Sequence, residues 1–555
     1  MTGSNIENDL RIGYTFDDVL LIPQKSTISS RKDTNLQSNL SKNIRLNIPI
    51  ISANMDTVTE SNMAIKIASL GGIGIIHRFM TIEEQINEVL SVKRSEGIMI
   101  DQPVTISQDG NVGQVKELMS LHKIGGILVK DDLNKLLGII TKRDLFFEYN
   151  DKKSIKEVMT KDLITAPEGT SLDDAKTIFI NNKIEKLPIV NSSDELVGLI
   201  TSKDIYKRDK FPISSKDDKG RLRVGAAIGV REEDVDRAIK LTEAGADTIV
   251  IDIAHGHSNH TINMISKIKD KIGNADIIVG NVATAEGTKD LIESGADAVK
   301  VGVGSGSICI TRIVTGAGVP QLTAILDCVS VAKEHNIPII ADGGIRTSGD
   351  ITKALAAGAS TVMIGSMLAG TDESPGVIVS RPNGRYKMTR GMASLSAAVD
   401  RRIKETNSID EQEMLEYVPE GVEALVQYRG QASEVIGKLV GGLRSGLSYC
   451  NAKDIIELQN NIIKKYKYIV DLIEYNFSSC TILTTHRERI KETQDKWREA
   501  NHEKIISWSR RYRREHPESD KEYYQKNIER IKETQKKWSR KKNSHRTGTK
   551  NLGRK

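Results

Sequence analysis

Aromatic and thiol-bearing residues are scarce in this 555-residue chain: aromatics make up 4% of it and cysteines number four. The cysteines, at positions 309, 328, 450 and 480, form no close pair of the kind that holds a zinc ion. They are too scattered for a disulfide framework, so free thiols are the expectation. Long apolar runs are missing as well. No uncharged apolar stretch reaches the ~18 residues that a membrane span needs, and MTGSNIENDLRIGY has no basic start followed by an apolar segment. Neither a span nor a secretory leader is expected, and the cytoplasm is the expected compartment. What is present is ordinary: with glycine included and tyrosine left out, about 44% of residues are apolar, the range of a globular protein. The length suits two to four domains, or one large barrel with additions.

Charge is unevenly spread. His486–Lys555 holds 23 Lys plus Arg and 11 Asp plus Glu, a local +12 that leaves −6 for residues 1–485 out of the total of +6. All three tryptophans, Trp497, Trp508 and Trp538, also lie in this tail, so a module boundary is expected near residue 480.

Three segments of the acidic body share one pattern: EAGADTIVID ending at Asp252, ESGADAVKVG ending at Gly302 and AAGASTVMIG ending at Gly365. Each reads as a helix end, a glycine turn and a short buried parallel strand. IPIISAN, GGIGIIH, VGAAIGV, DIIVGN and IPIIADGG bring the strand-like runs to eight, alternating with amphipathic stretches such as EEDVDRAIKLTEAG. That alternation predicts an α/β fold, a (β/α)8 TIM barrel, over residues 1–91 and 213–480. A doubly wound open sheet is the alternative. Residues 92–212 break the pattern with two copies of strand, helix, strand, strand and helix start, closing in GIITKRD and GLITSKD. A paired module inserted in a barrel loop is the expectation, because loops with neighbouring ends accept large insertions.

In such a barrel the loops after the strands form the active site, with phosphate commonly held after strands seven and eight. The last two strands end in Gly343 and Gly344 and in Gly365 and Ser366. Exposed backbone N–H groups there suit a phosphorylated substrate. Cys309 lies in the glycine-rich GVGSGSICITR at a strand's catalytic end, a setting that makes a thiol a nucleophile. Cys328, Cys450 and Cys480 lack that setting and read as structural.

The motifs ISANMDTVTE, GGIGIIHR, DIAHGHS, GNVAT, GVGSGSICITR, ADGGIR, GSMLAGTDESPG, RGMAS and YVPEGVE resemble, together, those of the inosine-5′-monophosphate (IMP) dehydrogenase family, from near the N-terminus to about residue 455. The resemblance implies NAD-dependent oxidation of IMP to xanthosine monophosphate (XMP), the committed step towards guanine nucleotides, through a covalent thioimidate on Cys309. It implies that Ser307, Gly343, Gly344, Gly365 and Ser366 hold the phosphate, that Asp342 takes the ribose hydroxyls, and that Gly391, Met392 and Glu420 complete the IMP site. Asp252 would meet the NAD ribose and Gly302, Val303 and Gly304 the nicotinamide. Water would be activated by Arg401, favoured here, or by a relay of Thr311 and Glu420. Potassium would bind carbonyls of Gly304, Gly306 and Cys309, completed by a neighbouring subunit. The inserted pair resembles a tandem cystathionine-β-synthase-type (CBS) module, in which Thr141, Asp144, Thr201 and Asp204 would hold the ribose of an adenine or guanine nucleotide. From the residues alone, each Thr could equally cap the next helix and each Asp stabilise its first turn. Homotetramers that pair into octamers are implied too.

The chain departs from the family pattern in places. TRGMAS stands for the usual YRGMGS, placing Thr389 and Ala393, and Arg402 stands where a Tyr usually follows the flap arginine. The end that would complete the potassium site is not recognisable. A GMP reductase, deaminating GMP with NADPH, is the rival reading, and a catalytically silent nucleotide sensor the third. In the tail, RERIKETQDKW recurs as IERIKETQKKW 41 residues on. A solvated, partly helical extension is favoured over nucleic-acid contact.

Overall fold

The eight β-branched runs close into a parallel barrel in chain order. Its strands are β1 (Ile50–Ser52), β2 (Ile73–Ile76), β3 (Val224–Ile228), β4 (Thr248–Asp252), β5 (Asp276–Val282), β6 (Ala298–Val301), β7 (Ile339–Asp342) and β8 (Thr361–Ile364). Each pairs with the next, and β8 returns to β1 through Val362 opposite Ile50 and Ile364 opposite Ser52. The barrel is therefore the fold expected from sequence, and the open sheet is excluded. This computed structural model describes residues 11–95, 99–100, 103–122, 124–406 and 417–463, without the side chains of residues 204, 207–209, 403, 405, 406, 462 and 463. Expectations placed on Cys480, on the Asp204 carboxylate and on residues 481–555 lie outside the described residues.

Helices pack outside the barrel because each presents one apolar stripe. Helix α1 (Ser61–Ser69) follows β1 and α2 (Ile82–Ser95) follows β2. After β3, α3 (Glu233–Glu243) buries Val235, Ala238 and Leu241. Helices α4 (Asn259–Ile268), α5 (Ala285–Glu293) and α7 (Ser348–Ala356) start at Ser258, Thr284 and Thr347, whose side chains accept from backbone amides of the first turn. Helix α6 (Gln321–Ala332) buries Cys328.

Inside, Ile51, Ile73, Ile75, Ala227, Val250, Ile278, Ala298, Ile340 and Met363 fill the barrel. A short antiparallel pair, Ser38–Asn39 with Arg45–Leu46, adds Leu40, Ile44 and Leu46 beneath them. It is anchored at the N-terminal strand ends by the Ser41 hydroxyl on Asp276 (2.6 Å) and the Lys42 amide on the Asp297 carbonyl (2.9 Å). Because strand side chains alternate between faces, the next inward positions after Val250, Ala298 and Ile340 are Asp252, Lys300 and Asp342. The core thus turns from apolar to charged at the C-terminal end.

Between α2 and β3 lie two three-stranded sheets: Thr105–Ser107, Gly126–Lys130 and Leu136–Thr141, then Ala166–Pro167, Lys186–Val190 and Leu196–Thr201. Each has its own helix, Val112–Leu121 or Leu172–Asn182, and its own core. Leu128, Ile139, Leu196 and Leu199 join the two. The order within each copy matches the repeat read from sequence, with one correction. After Thr141 the first copy closes in successive turns rather than a helix start, whereas helix Ser202–Lys210 follows Thr201. The Asp144 carboxylate takes both the amide and the hydroxyl of Thr141 (2.7 Å each), which folds the chain into a tight turn. Lys93 of α2 pairs with Asp217 (3.0 Å) and Asp247 (2.7 Å), fastening the start of the insertion to its end.

After β8 comes an antiparallel sheet of Ile378–Arg381, Gly384–Arg390 and Glu423–Gln427. Helix Leu395–Thr406 leaves from it, and helices Ala432–Tyr449 and Ile455–Ile463 follow.

Candidate active site

Four neighbouring strands, β4 to β7, deliver the polar groups at the top of the barrel. The Lys300 ammonium donates to Asp252 Oδ1 (2.6 Å), to Asp342 Oδ2 (2.8 Å) and to Asn281 Oδ1. Asn54 Nδ2 donates to the other oxygen of Asp252 (2.8 Å), and Asn281 Nδ2 to Asp342 Oδ2 (2.9 Å) and the Gly302 carbonyl (2.7 Å). Burial alone would push the Asp252 carboxyl up, but the Lys300 charge and these hydrogen bonds override it and hold it below its usual range. Burial pulls the Lys300 ammonium down, and its two carboxylate partners more than reverse that. Both groups stay ionised across the neutral range.

The loop after β6 lies against the end of β7. A Cβ at Gly302, where φ is +148°, would run into the Asp342 carbonyl. Ser305 Oγ and Gln321 Nε2 donate to the same carbonyl, at 2.9 and 3.1 Å. Arg312 pins the loop from outside through the Val303 (2.9 Å) and Val319 (2.6 Å) carbonyls, within electrostatic reach of Cys309.

Cys309 pairs with Gly421 in an isolated antiparallel bridge, in which the Ile310 amide donates to the Glu420 carbonyl (2.8 Å) and the Val422 amide to that of Ile308 (3.0 Å). The Gly391 amide donates to the Val422 carbonyl (3.0 Å), and the Glu420 and Gly421 amides to that of Ala393 (3.0 and 3.1 Å). Three distant motifs thereby meet at the cysteine. Cys309 Sγ lies 3.2 Å from Thr311 Oγ1, which donates to Glu420 Oε2 at 2.7 Å. Cys309 is half-buried, whereas Cys328 and Cys450 are buried. Burial pushes the Cys328 thiol up to about 12 and raises that of Cys450.

Around this junction, Met392 Sδ accepts from the Asp56 amide (3.4 Å). Thr389 is buried with its hydroxyl 3.1 Å from that of Thr57. Arg390 binds Asp56 (2.6 Å) and Asp400 (2.5 Å), tying helix Leu395–Thr406 to the loop after β1. Arg401 lies on that helix with its guanidinium 5.6 Å from the centre of the Phe79 ring. Sequence reading passed over Tyr417, whose hydroxyl donates to the Ala393 carbonyl (3.1 Å), within electrostatic reach of Arg401 and Glu420.

Asp342 of β7 pairs with Met363 of β8, so the glycines that follow these strands stand side by side. Gly343 and Gly344 have φ of +95° and +78°, and Gly365 precedes a short helix that starts at Ser366. Ser307 is exposed nearby in sequence to Cys309. Of the three carbonyls expected to meet potassium, that of Gly306 takes the Cys309 amide (3.1 Å). Those of Gly304 and Cys309 accept no main-chain hydrogen bond among the described residues. Two or three carbonyls leave a cation's shell incomplete, which fits a site finished by another chain segment. In the inserted pair, Thr141 and Asp144 bind one another as described above, and Thr201 ends its strand.

A family model described as IMP dehydrogenase / GMP reductase domain matches residues 13–470. An inosine-5′-monophosphate dehydrogenase from Nitrosopumilus maritimus is 55% identical over 454 residues, covering 82% of this chain and 95% of that one. One from Bacillus subtilis is 52% identical, covering 80% and 91%. Among solved structures, a GMP reductase variant from Trypanosoma brucei in complex with guanosine 5′-monophosphate superposes with a TM-score of 0.77 at 43% identity, covering 82% of this chain and 96% of that one. This closed eight-stranded barrel, in which Cys309, Thr311 and Glu420 meet and which these relatives match over most of the chain, belongs to the IMP dehydrogenase / GMP reductase family.

Proposed function

We propose that this chain oxidises IMP to XMP with NAD. The observation that carries the reading is the contact chain from Cys309 Sγ through Thr311 to Glu420, on the loop that follows β6, whose Lys300 binds the Asp252 and Asp342 carboxylates at the ends of β4 and β7. The Cys309 thiolate adds to C2 of the hypoxanthine and makes that carbon tetrahedral. Bound nicotinamide supplies the two-electron acceptor, and loss of hydride from C2 leaves a thioimidate on Cys309. Water then adds to C2, the C–S bond breaks, and XMP leaves as the thiolate is restored. Glu420 takes the water's proton through the Thr311 hydroxyl, a relay already hydrogen-bonded at 2.7 Å. Arg401, on the helix held by Arg390 and Asp400, is the second candidate for activating that water.

The Ser307, Gly343, Gly344, Gly365 and Ser366 groups hold the monophosphate, Asp342 the IMP ribose and Asp252 the NAD ribose. Gly391 and Met392 border the base, and Gly302, Val303 and Gly304 the nicotinamide. Potassium rests on the Gly304, Gly306 and Cys309 carbonyls, with the remaining ligands from another subunit of a tetramer. The inserted pair acts as a CBS module for an adenine or guanine nucleotide, with Thr141, Asp144, Thr201 and Asp204 at its ribose sites.

The preformed relay and the GMP-bound structural relative favour one second reading, reductive deamination of GMP. Incubation with IMP and NAD, and separately with GMP and NADPH, decides between them by absorbance of the reduced nicotinamide. Production of NADH in the first mixture is expected; consumption of NADPH in the second alone would overturn the assignment.

A further inference from the structure

We propose that Lys300 is a positioning residue that couples the two sugar-binding carboxylates, so that the IMP and NAD sites share one counterion. The inference rests on the assignment of Asp342 and Asp252 to the two riboses. Lys300 is inward-facing on β6, its side chain is 1% exposed, and its strand neighbours are buried and apolar. A lone ammonium there would be expelled or deprotonated. It is kept because an ammonium has three donors and this one meets three acceptors: Asp252 Oδ1, Asp342 Oδ2 and Asn281 Oδ1.

The remaining capacity is nearly all taken. Asn54 occupies the second oxygen of Asp252, and the Asn281 amide is turned by Lys300 so that its NH2 reaches Asp342 and the Gly302 carbonyl. Asp342 Oδ1 accepts from no described residue, on a side chain that is 22% exposed. One sugar site therefore cannot shift its carboxylate without moving the ammonium that orients the other. Remove the ammonium, and Arg78, within electrostatic reach of Asp252 alone, is the one cation left against two carboxylates held within hydrogen-bond range of one point; they repel, so that one takes up a proton at higher pH than an isolated aspartate would.

The test uses the full chain, with wild-type turnover of IMP and NAD as the reference. Titration of IMP without dinucleotide is expected to give at least threefold weaker binding to Asp252→Asn, although Asp252 is assigned to the other ligand. Asp342→Asn is expected to raise the KM for NAD by a similar factor. Lys300→Met is expected to raise both KM values at least tenfold, more than it lowers kcat. Those KM values should also fall between pH 6 and 9 as the shared proton is lost, while wild-type values stay flat; Lys300→Arg should restore the flat profile. Wild-type IMP affinity in Asp252→Asn overturns the coupling, as do unchanged KM values in Lys300→Met. If Lys300→Met does not fold, the isosteric Asp252→Asn titration decides alone. Absent turnover in the wild-type reference would instead sink the proposed function, so the two failures are distinguishable.

Discussion

Cys309 differs from its fellow thiols in surroundings. It is half-buried beside a hydroxyl that is already committed to a carboxylate, whereas Cys328 sits in the apolar face of α6. A thiol raised to about 12 is almost wholly protonated at pH 7.5 and gains nucleophilicity only as pH climbs towards that value. Iodoacetamide at pH 7.5 is therefore expected to modify Cys309 while leaving Cys328 and Cys450 intact, as read by peptide mass spectrometry; equal labelling of Cys328 would contradict the packing. Glu420→Gln keeps the shape of the relay and removes its base. Steady-state kcat should drop by about 10²–10⁴, yet the first-turnover burst of NADH should survive in stopped flow, because hydride leaves before water attacks. Cys309→Ala should lose both phases. Cys309, Thr311 and Glu420 were legible because each stands in a motif of distinctive neighbours. Lys300 was not singled out: it was read as part of a buried strand, and only a charge inside the run AVKV hinted that the barrel must supply partners. Tyr417 stands in the same YVPEGVE motif as Glu420 but was given no role, since its contact with Ala393 is distant in sequence.

At the level of elements, the eight barrel strands were readable because burial on both faces makes them short, continuous and β-branched. The antiparallel sheet of residues 378–390 and 423–427 was not. Its first strand is exposed throughout and so lacks an alternating apolar face, and its third strand, which pairs with Gly384–Arg390, lies beyond the helix that carries Arg401. The turn after Thr141 was missed because one side-chain hydrogen bond, from Thr141 to Asp144, decides it. The cysteine loop's seat on β7 depends on a missing side chain. Gly302→Ala should push the loop off the Asp342 carbonyl and lower kcat/KM on the order of 10²-fold, with the far-ultraviolet dichroism unchanged. Wild-type kinetics in that variant would show that the loop is seated elsewhere.

For the molecule as a whole, the barrel closes without help from the insertion. β2 pairs directly with β3 through Gly74 to Val224 and Ile76 to Ala226, and Lys93 holds Asp217 just outside. Replacing residues 99–212 by a short flexible linker is expected to leave kcat for IMP within about threefold, a change near the size of neutral surface effects on free energy; loss of turnover would mean that the module supports the site. Lys93→Met, by contrast, leaves the buried Asp247 carboxylate with only Arg223, at 3.5 Å, and should cost about 3 kcal/mol in urea unfolding. The pairing of β1 with β8 has a further consequence, for synthesis rather than catalysis. At the usual ribosomal pace of about 5–20 residues per second, the first strand emerges roughly 15–60 s before the last one it must bond. Both sheets of the insertion are complete by then, while the catalytic barrel is still an open ribbon. A chaperone that shields apolar edges would meet this chain at β1 and β2, long before the cysteine loop exists.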